Sequence, residues 1–496
     1  MSAIGKRLQI FIVLLIGLFV TGRTTLAQNA VWSGHYGGYY NEGGYASAPT
    51  SDGGYFAVGS TYSFGSGDHD IYVLRLDSLG DTLWSRTFGG ALADFGRDIL
   101  VTPDSGCIVV GSTVSWSAGK EDLFILGISS TGNLQWSKTY GGLNSDEAWS
   151  VRRTGDGNLI VCGTTSSSGA GYGDLWLLKL TTTGDSIWAR TFGGPGGESG
   201  MSVKETYDGY IAVGATGSFG EGYSSIYAVK TNFAGDSVWA KTFGGPKADF
   251  GYAVEVSNYG DYIIAGATGS YGQGYYDAYV LAVSPQGDVL WEKTYGGVKD
   301  DRAYSICTTP NGDFIIGGTT ESSGQGAVDM YVLRLNPIGD LIWSRSLGGA
   351  LSDYCRGVSM DINGNFILSG YSYSYATGGS DLYLLSLSGD APTAVEELPG
   401  DNLPIGFLLE QNYPNPFNGI THIQFSLPYR AAVTLIVYNI LGQEVRQWDE
   451  TTHGAGLFQL DWDGTDERGN DVTSGVYLYS LIAADLNITK KMVLLK

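Results

Sequence analysis

The sequence predicts an all-β protein: a seven-bladed β-propeller of four-stranded blades, its ring closed by the N-terminal strand, followed by a small immunoglobulin-like β-sandwich. Three observations carry that prediction. The stretch WSRTFGG at 84–90 returns in seven versions, beginning at Trp32, Trp84, Trp136, Trp188, Trp239, Trp291 and Trp343, each ending in Gly-Gly. A period of 51 or 52 residues marks one supersecondary unit stacked on itself, because no single unit can bury its own apolar face. Each period holds four short apolar runs divided by turn residues, the content of a propeller blade. Composition agrees: 76 glycines in 496 residues, with 13% aromatic and 16% charged residues, suit short strands and tight turns rather than amphipathic helices.

The chain opens with Lys6 and Arg7, an apolar run from Leu8 to Val20 and small residues ending at Ala27. These are the parts of a secretory signal peptide over residues 1–27, cleaved after Ala27. No later stretch approaches the roughly 18 uninterrupted apolar residues of a membrane span, so none is expected in the mature chain. Loss of Lys6, Arg7 and Arg23 takes the formal charge from -22 to about -25, which keeps an exported protein soluble and argues against nucleic acid or anionic lipid as a partner.

The propeller is assigned to residues 28–390. In the unit from Trp84, WSRTF is the first strand, GRDILV at 96–101 the second, CIVVGST at 107–113 the third and DLFILGI at 122–128 the fourth. Hairpin turns between second and third runs are marked by Asp52-Gly53, Asp104-Ser105-Gly106, Asp156-Gly157, Asp208-Gly209, Asn311-Gly312 and Asn363-Gly364, with Tyr259-Gly260 departing from the pattern. Twelve residues after each Trp stands Gly44, Gly96, Ala148, Gly200, Gly251, Ala303 or Cys355, small as crowding near a propeller axis requires. The Trp strand is expected outermost, its indole between blades, with the Lys or Arg two places on covering the indole or pairing with the next blade.

The two ends of the array are complementary. Trp32 opens a strand with no preceding blade, and DLYLLSL at 381–387 ends a blade lacking its Trp strand. The Trp32 strand should therefore complete the last blade and leave no free sheet edge. Cys107, Cys162, Cys307 and Cys355 lie in four different repeats and are expected as free, buried thiols.

Residues 391–406 read as a linker by their prolines and acids, and residues 407–496 as short strands of a sandwich of about 90 residues. Within this segment NYPNPFN at 412–418, VYNILGQEV at 437–445, WDGTDERGNDVTSGVYLY at 462–479 and the closing KKMVLLK resemble the C-terminal sorting domain of type IX secretion cargo in Bacteroidetes-like bacteria. The immunoglobulin-like domain of the flagellar hook-capping protein shares the WDG, G and GVY pattern. The sorting resemblance implies export across the outer membrane by the secretion machinery, removal of the domain, and release or attachment at the surface. The repeats are similar to bacterial propeller repeats of the pyrroloquinoline-quinone-like type. No cysteine pair or dedicated site supports a quinone.

Two sets of residues are candidate sites. Ten residues after each Trp stands an acid: Glu42, Asp94, Asp146, Glu198, Asp249, Asp301 and Asp353. If they ring the central mouth they would hold a cation, calcium being the one considered, or a polar ligand; otherwise each accepts backbone N–H bonds and fixes its own loop. Asp70, Asp122, Asp174, Asp277, Asp329 and Asp381, with Ser225 in their series, invite the same two readings. Loops between third and fourth runs carry Phe64, Trp116, Phe219, Tyr271 and Tyr375 at one aligned place, among Ser, Gly and Asp. Such aromatics suit sugar rings or protein surfaces, or else cover the blade ends.

No catalytic residue is assigned, since neither His35 nor His69 accompanies a nucleophile motif and the acids recur in matching environments. No cofactor is assigned beyond the calcium considered above. The expectation is a secreted or surface-located monomer serving as a binding or adhesion module for a glycan or protein. A glycan-active hydrolase or lyase at the mouth is the alternative, and a purely structural surface protein a third reading.

Overall fold

In a computed structural model the described residues are 30–389, 408–409, 411–427, 431–453, 456–483 and 486–495. The signal peptide with Ala27 and the 391–406 linker lie outside them. The chain divides into two compact units, the first through Pro392 and the second from Thr393. Every regular element described is a β-strand.

The first unit consists of seven four-stranded antiparallel sheets. Blade 1 runs outward through Glu42–Pro49, Tyr55–Thr61, Asp70–Leu76 and Thr82–Phe88, and the next five repeat that order. The two middle strands are buried along their whole length, because both of their faces meet neighbouring blades. The outermost strand is half exposed. Closure is as the sequence requires: Ala30–Tyr36 pairs antiparallel with Asp381–Leu387, setting Trp32 opposite Ser386 and His35 opposite Tyr383.

The Trp strand is outermost, and at five of the joints a glycine of the next blade packs on its indole. Gly80, Gly132, Gly184, Gly235 and Gly339 have φ of +79° to +83°, and a Cβ on any of them would press into the indole of Trp32, Trp84, Trp136, Trp188 or Trp291. The recurring cation does both things expected of it. Arg86, Arg190, Lys241 and Arg345 lie over the indole of their own strand, while Lys138, Lys241 and Lys293 reach an aspartate of the next blade. All four cysteines are free. Cys107, Cys162 and Cys355 are buried and Cys307 is half-buried; burial pushes the Cys307 and Cys355 thiols up to about 12.

One irregularity recurs in every blade. The innermost strands are Glu42–Pro49, Asp94–Val101, Asp146–Arg153, Glu198–Thr206, Asp249–Val256, Asp301–Thr308 and Asp353–Met360. Each slips register by one residue against its neighbour, so Tyr45, Arg97, Trp149, Met201, Tyr252, Tyr304 and Arg356 have no partner. The cause is a glycine on the facing strand: Gly59, Gly111, Gly163, Gly214, Gly266, Gly318 or Gly370. A Cβ on any of these would lie 1.7 to 1.9 Å from a carbonyl oxygen of the innermost strand. Only glycine permits that approach, and the bulge re-aims the side chain of the extra residue.

The second unit is a sandwich of a three-stranded sheet, Leu408–Leu409, Thr421–Leu427 and Gly456–Trp462, and a four-stranded sheet ordered Glu444–His453, Ala431–Asn439, Gly475–Ala483, Leu486–Leu494. Trp462 is fully buried at its centre, between Phe417 and Tyr477.

Candidate site at the propeller axis

The seven acids ten places after each Trp are buried, and their oxygens are engaged locally save Oδ1 of Asp301, which has no hydrogen-bond partner. Each accepts the N–H of the second glycine of its Gly-Gly pair, from Gly38 to Glu42 through Gly349 to Asp353. Six also take a hydroxyl from the end of the neighbouring strand: Thr61, Thr113, Thr165, Thr216, Thr268 or Ser372. Asp301 takes that of Ser322. This geometry supports the loop-fixing reading. The second series does similar work one loop away, where Asp70, Asp122, Asp174, Asp277 and Asp329 accept loop N–H groups. Burial raises the carboxyls of Asp70, Asp174, Asp277 and Asp329 above their ordinary value. Among the described residues no group of three or more His, Cys, Asp or Glu is arranged to hold a metal ion.

The loop aromatics are partly exposed. Trp116, Phe219, Tyr271 and Phe64 expose 50%, 42%, 41% and 39% of their surface, whereas Tyr375 is half-buried. Each leans on an aromatic of the adjacent strand: Tyr72, Phe124, Tyr227, Tyr279 or Tyr383. One face covers the second glycine of a Gly-Gly pair, and the remainder is open to a ligand.

The bulges bring together a set of residues the sequence reading passed over. Thirteen places after each Trp the seven bulged residues stand at one level of the innermost strands, and six of them make contacts in two trios. The Arg97 guanidinium lies 4.5 Å from the ring centroid of Tyr45 on one side and 4.4 Å from that of Trp149 on the other. Tyr252 and Tyr304 are 4.9 Å apart, and Arg356 lies 4.3 Å from Tyr304. Two places earlier a second tier, including Phe95, Glu147, Phe250, Arg302 and Tyr354, stands nearer the loops. His69 packs on Phe95, Tyr276 on Phe250 and Tyr371 on Tyr354. The mouth is therefore on the same end as the loop aromatics. Further along the strands the charges are paired, Arg152 with Asp98 and Lys204 with Glu255.

Both tiers are half-buried, while the places on either side of the second tier are buried. The sequence held a signal for this: those buried places vary little among the seven copies, and the two tiers vary in size, charge and aromaticity. Burial raises the Glu147 carboxyl, and Glu121 nearby adds to the effect while Arg97 opposes it.

Comparison with known proteins assigns part of the second unit. Residues 415–486 match the FlgD Ig-like domain family. That match covers the greater part of the sandwich but not its first strand or most of its last, in line with the hook-capping likeness of the sequence. Over 91 residues the chain is 29% identical to an uncharacterized WD repeat-containing protein, L264, of Acanthamoeba polyphaga mimivirus, covering 18% of this chain and 6% of that one. Over 152 residues it is 26% identical to the regulatory protein FlaEY of Caulobacter vibrioides, covering 26% and 16%. The chain thus spans a small fraction of these relatives. Among solved structures it is similar to PorZ, a surface component of the type IX secretion system of Porphyromonas gingivalis, with TM-score 0.41 and 13% identity over 92% of this chain and 59% of that one. It is similar also to the β-propeller domain of the Trilobed protease of Pyrococcus furiosus, with TM-score 0.40 and 9% identity over 73% and 99%. At those scores neither likeness carries a functional argument.

Proposed function

We propose that this chain is an exported propeller acting at or beyond the outer cell surface as a binding or adhesion module for a glycan or protein ligand, with residues 407–496 serving as its sorting domain. The observation that carries the binding reading is the axial ring. The acids and small residues on either side of the upper tier are repeated from blade to blade, whereas the ring holds four residue types among its seven copies and the tier above it six. A scaffold needs no such variety at its axis; a recognition site does. The exposed faces of Trp116, Phe219, Tyr271 and Phe64 on the same end extend the surface available to a ligand. Export rests on the signal-type N-terminus and on the motifs from NYPNPFN to KKMVLLK. Among the described residues no helix is long and apolar enough to cross a membrane.

A glycan-active hydrolase or lyase is the second reading, and Glu147 is the observation that favours it. A half-buried carboxyl with a raised pKa beside a second acid is what a general acid requires. The test is a glycan-array screen of the full chain with calcium and with chelator, each hit being assayed for released product. Specific binding without turnover, weakened by Trp116→Ala or Tyr271→Ala, is the expected result. Product formation abolished by Glu147→Gln would establish the second reading. Absence of any glycan hit would move the search to protein partners or a structural role.

A further inference from the structure

We propose that the propeller mouth holds the acidic group of a sugar residue, a carboxylate or sulfate, between Arg97 and Arg356, with the sugar ring on the neighbouring aromatic faces. This rests on the binding reading above and gives the ligand its chemical class. Arg97 and Arg356 stand on blades 2 and 7, either side of blade 1, whose Tyr45 lies between them in the ring. Among the described residues neither has a carboxylate within salt-bridge distance, although the chain carries 50 acids. Arg152 and Arg302, on equivalent strands, hold Asp98 and Asp300.

Nor do other acceptors replace the missing anion. Among the described residues, the Nε atoms of both Arg97 and Arg356 are buried without a hydrogen-bond partner, and the hydroxyl of Tyr371, 3.3 Å from Arg356, is the one side-chain oxygen bonded to either group. A guanidinium has five N–H donors and no means of losing its charge. The rings of Tyr45, Trp149 and Tyr304 stabilise the cations through their faces but accept none of those N–H bonds in plane. The buried Nε atoms are out of a ligand's reach; the terminal nitrogens, which have no carboxylate partner and are not among the buried unpartnered atoms, are the donors an external oxyanion would meet at the axis. The formal charge of -22 then limits the ligand. A long polyanion is repelled by the surrounding surface, while a single terminal acidic residue entering the mouth is not.

The experiment measures binding of the full chain to digalacturonic acid, to a sulfated disaccharide and to the neutral digalactose, by calorimetry and by tryptophan fluorescence. An acidic disaccharide should bind about tenfold or more tightly than the neutral one, and should weaken about tenfold or more in Arg97→Gln and in Arg356→Gln. The carboxylated and sulfated arms decide which oxyanion is used. Arg97→Lys and Arg356→Lys retain charge and bulk, guard against loss of fold, and should weaken binding less than the Gln changes. Equal affinity for acidic and neutral disaccharides, or unaltered affinity in the folded Arg variants, overturns the inference. If binding then still falls in Trp116→Ala, the glycan-binding reading survives without it; if no disaccharide and no array glycan binds, both fall.

Discussion

Gly111 stands against the carbonyl of Phe95: a Cβ on Gly111 would lie 1.8 Å from that oxygen. The obstacle is backbone, so no rotamer change relieves it, and the bulge that presents Arg97 depends on the contact. Gly111→Ala is expected to cost about 1–3 kcal/mol in urea unfolding by overpacking and to displace Arg97 from Trp149. Gly197→Ala, with nothing within 4 Å of the added Cβ, should stay within about 0.5 kcal/mol of the parent. Equal effects of the two would contradict the bulge argument.

The ring is closed by pairing residues 30–36 with 381–387, and Trp32 is buried at that seam. Trp32→Ala should cost about 3–5 kcal/mol through the cavity it leaves. A chain beginning at residue 38 would expose the strand Asp381–Leu387 as an open edge, and size-exclusion chromatography should show it self-associating where the parent does not.

The carboxyls of Asp70, Asp174, Asp277 and Asp329 are raised by burial from 3.8. Between 3.8 and the raised native value the folded state binds more protons than the unfolded one, so this contribution to stability is complete below 3.8 and is lost as pH rises through the native pKa. Relative to Asp329→Asn, the parent should therefore be most stable at the acid end and should lose that advantage toward neutrality. Urea midpoints at several pH values measure the difference; an advantage growing with pH would reverse the assignment.

Lys138 and Asp185 lie 2.8 Å apart with side chains 42% and 60% exposed. Lys138→Ala should cost about 0–1 kcal/mol, and less in high salt. The Lys204–Glu255 pair is more enclosed, and Lys204→Ala should cost more and respond less to salt. Double-mutant cycles at both pairs provide the comparison.

In the second unit Trp462 is fully buried and donates its indole N–H to the Thr465 carbonyl. Trp462→Ala should cost about 3–5 kcal/mol and unfold the sandwich. Differential scanning calorimetry is expected to show the propeller transition unchanged.

Much of the frame was legible from local pattern. The Trp strands, the Asp-Gly and Asn-Gly turns, the small residues at 44, 96 and 148 and the complementary ends all declared themselves, because each depends on near neighbours or on the repeat itself. The acids at 42 through 353 were legible as a series but ambiguous in role. Whether Asp94 faces a ligand or the N–H of Gly90 depends on a loop four residues long, and its burial follows from the blade beside it. The aromatics at 64, 116, 219, 271 and 375 were likewise visible, but not that each rests on a ring of the next strand.

By itself the sequence determined the period, the four strands per blade, the closing strand and the break before a second unit. Hydrophobic alternation and turn residues act over a few positions, and repetition confirmed them seven times. Tertiary structure alone decided that Tyr45, Arg97, Trp149, Met201, Tyr252, Tyr304 and Arg356 share one ring. They lie about fifty residues apart along the chain, and two non-local events unite them: the closing of the sheet array around an axis, and a one-residue bulge admitted by a glycine on another strand.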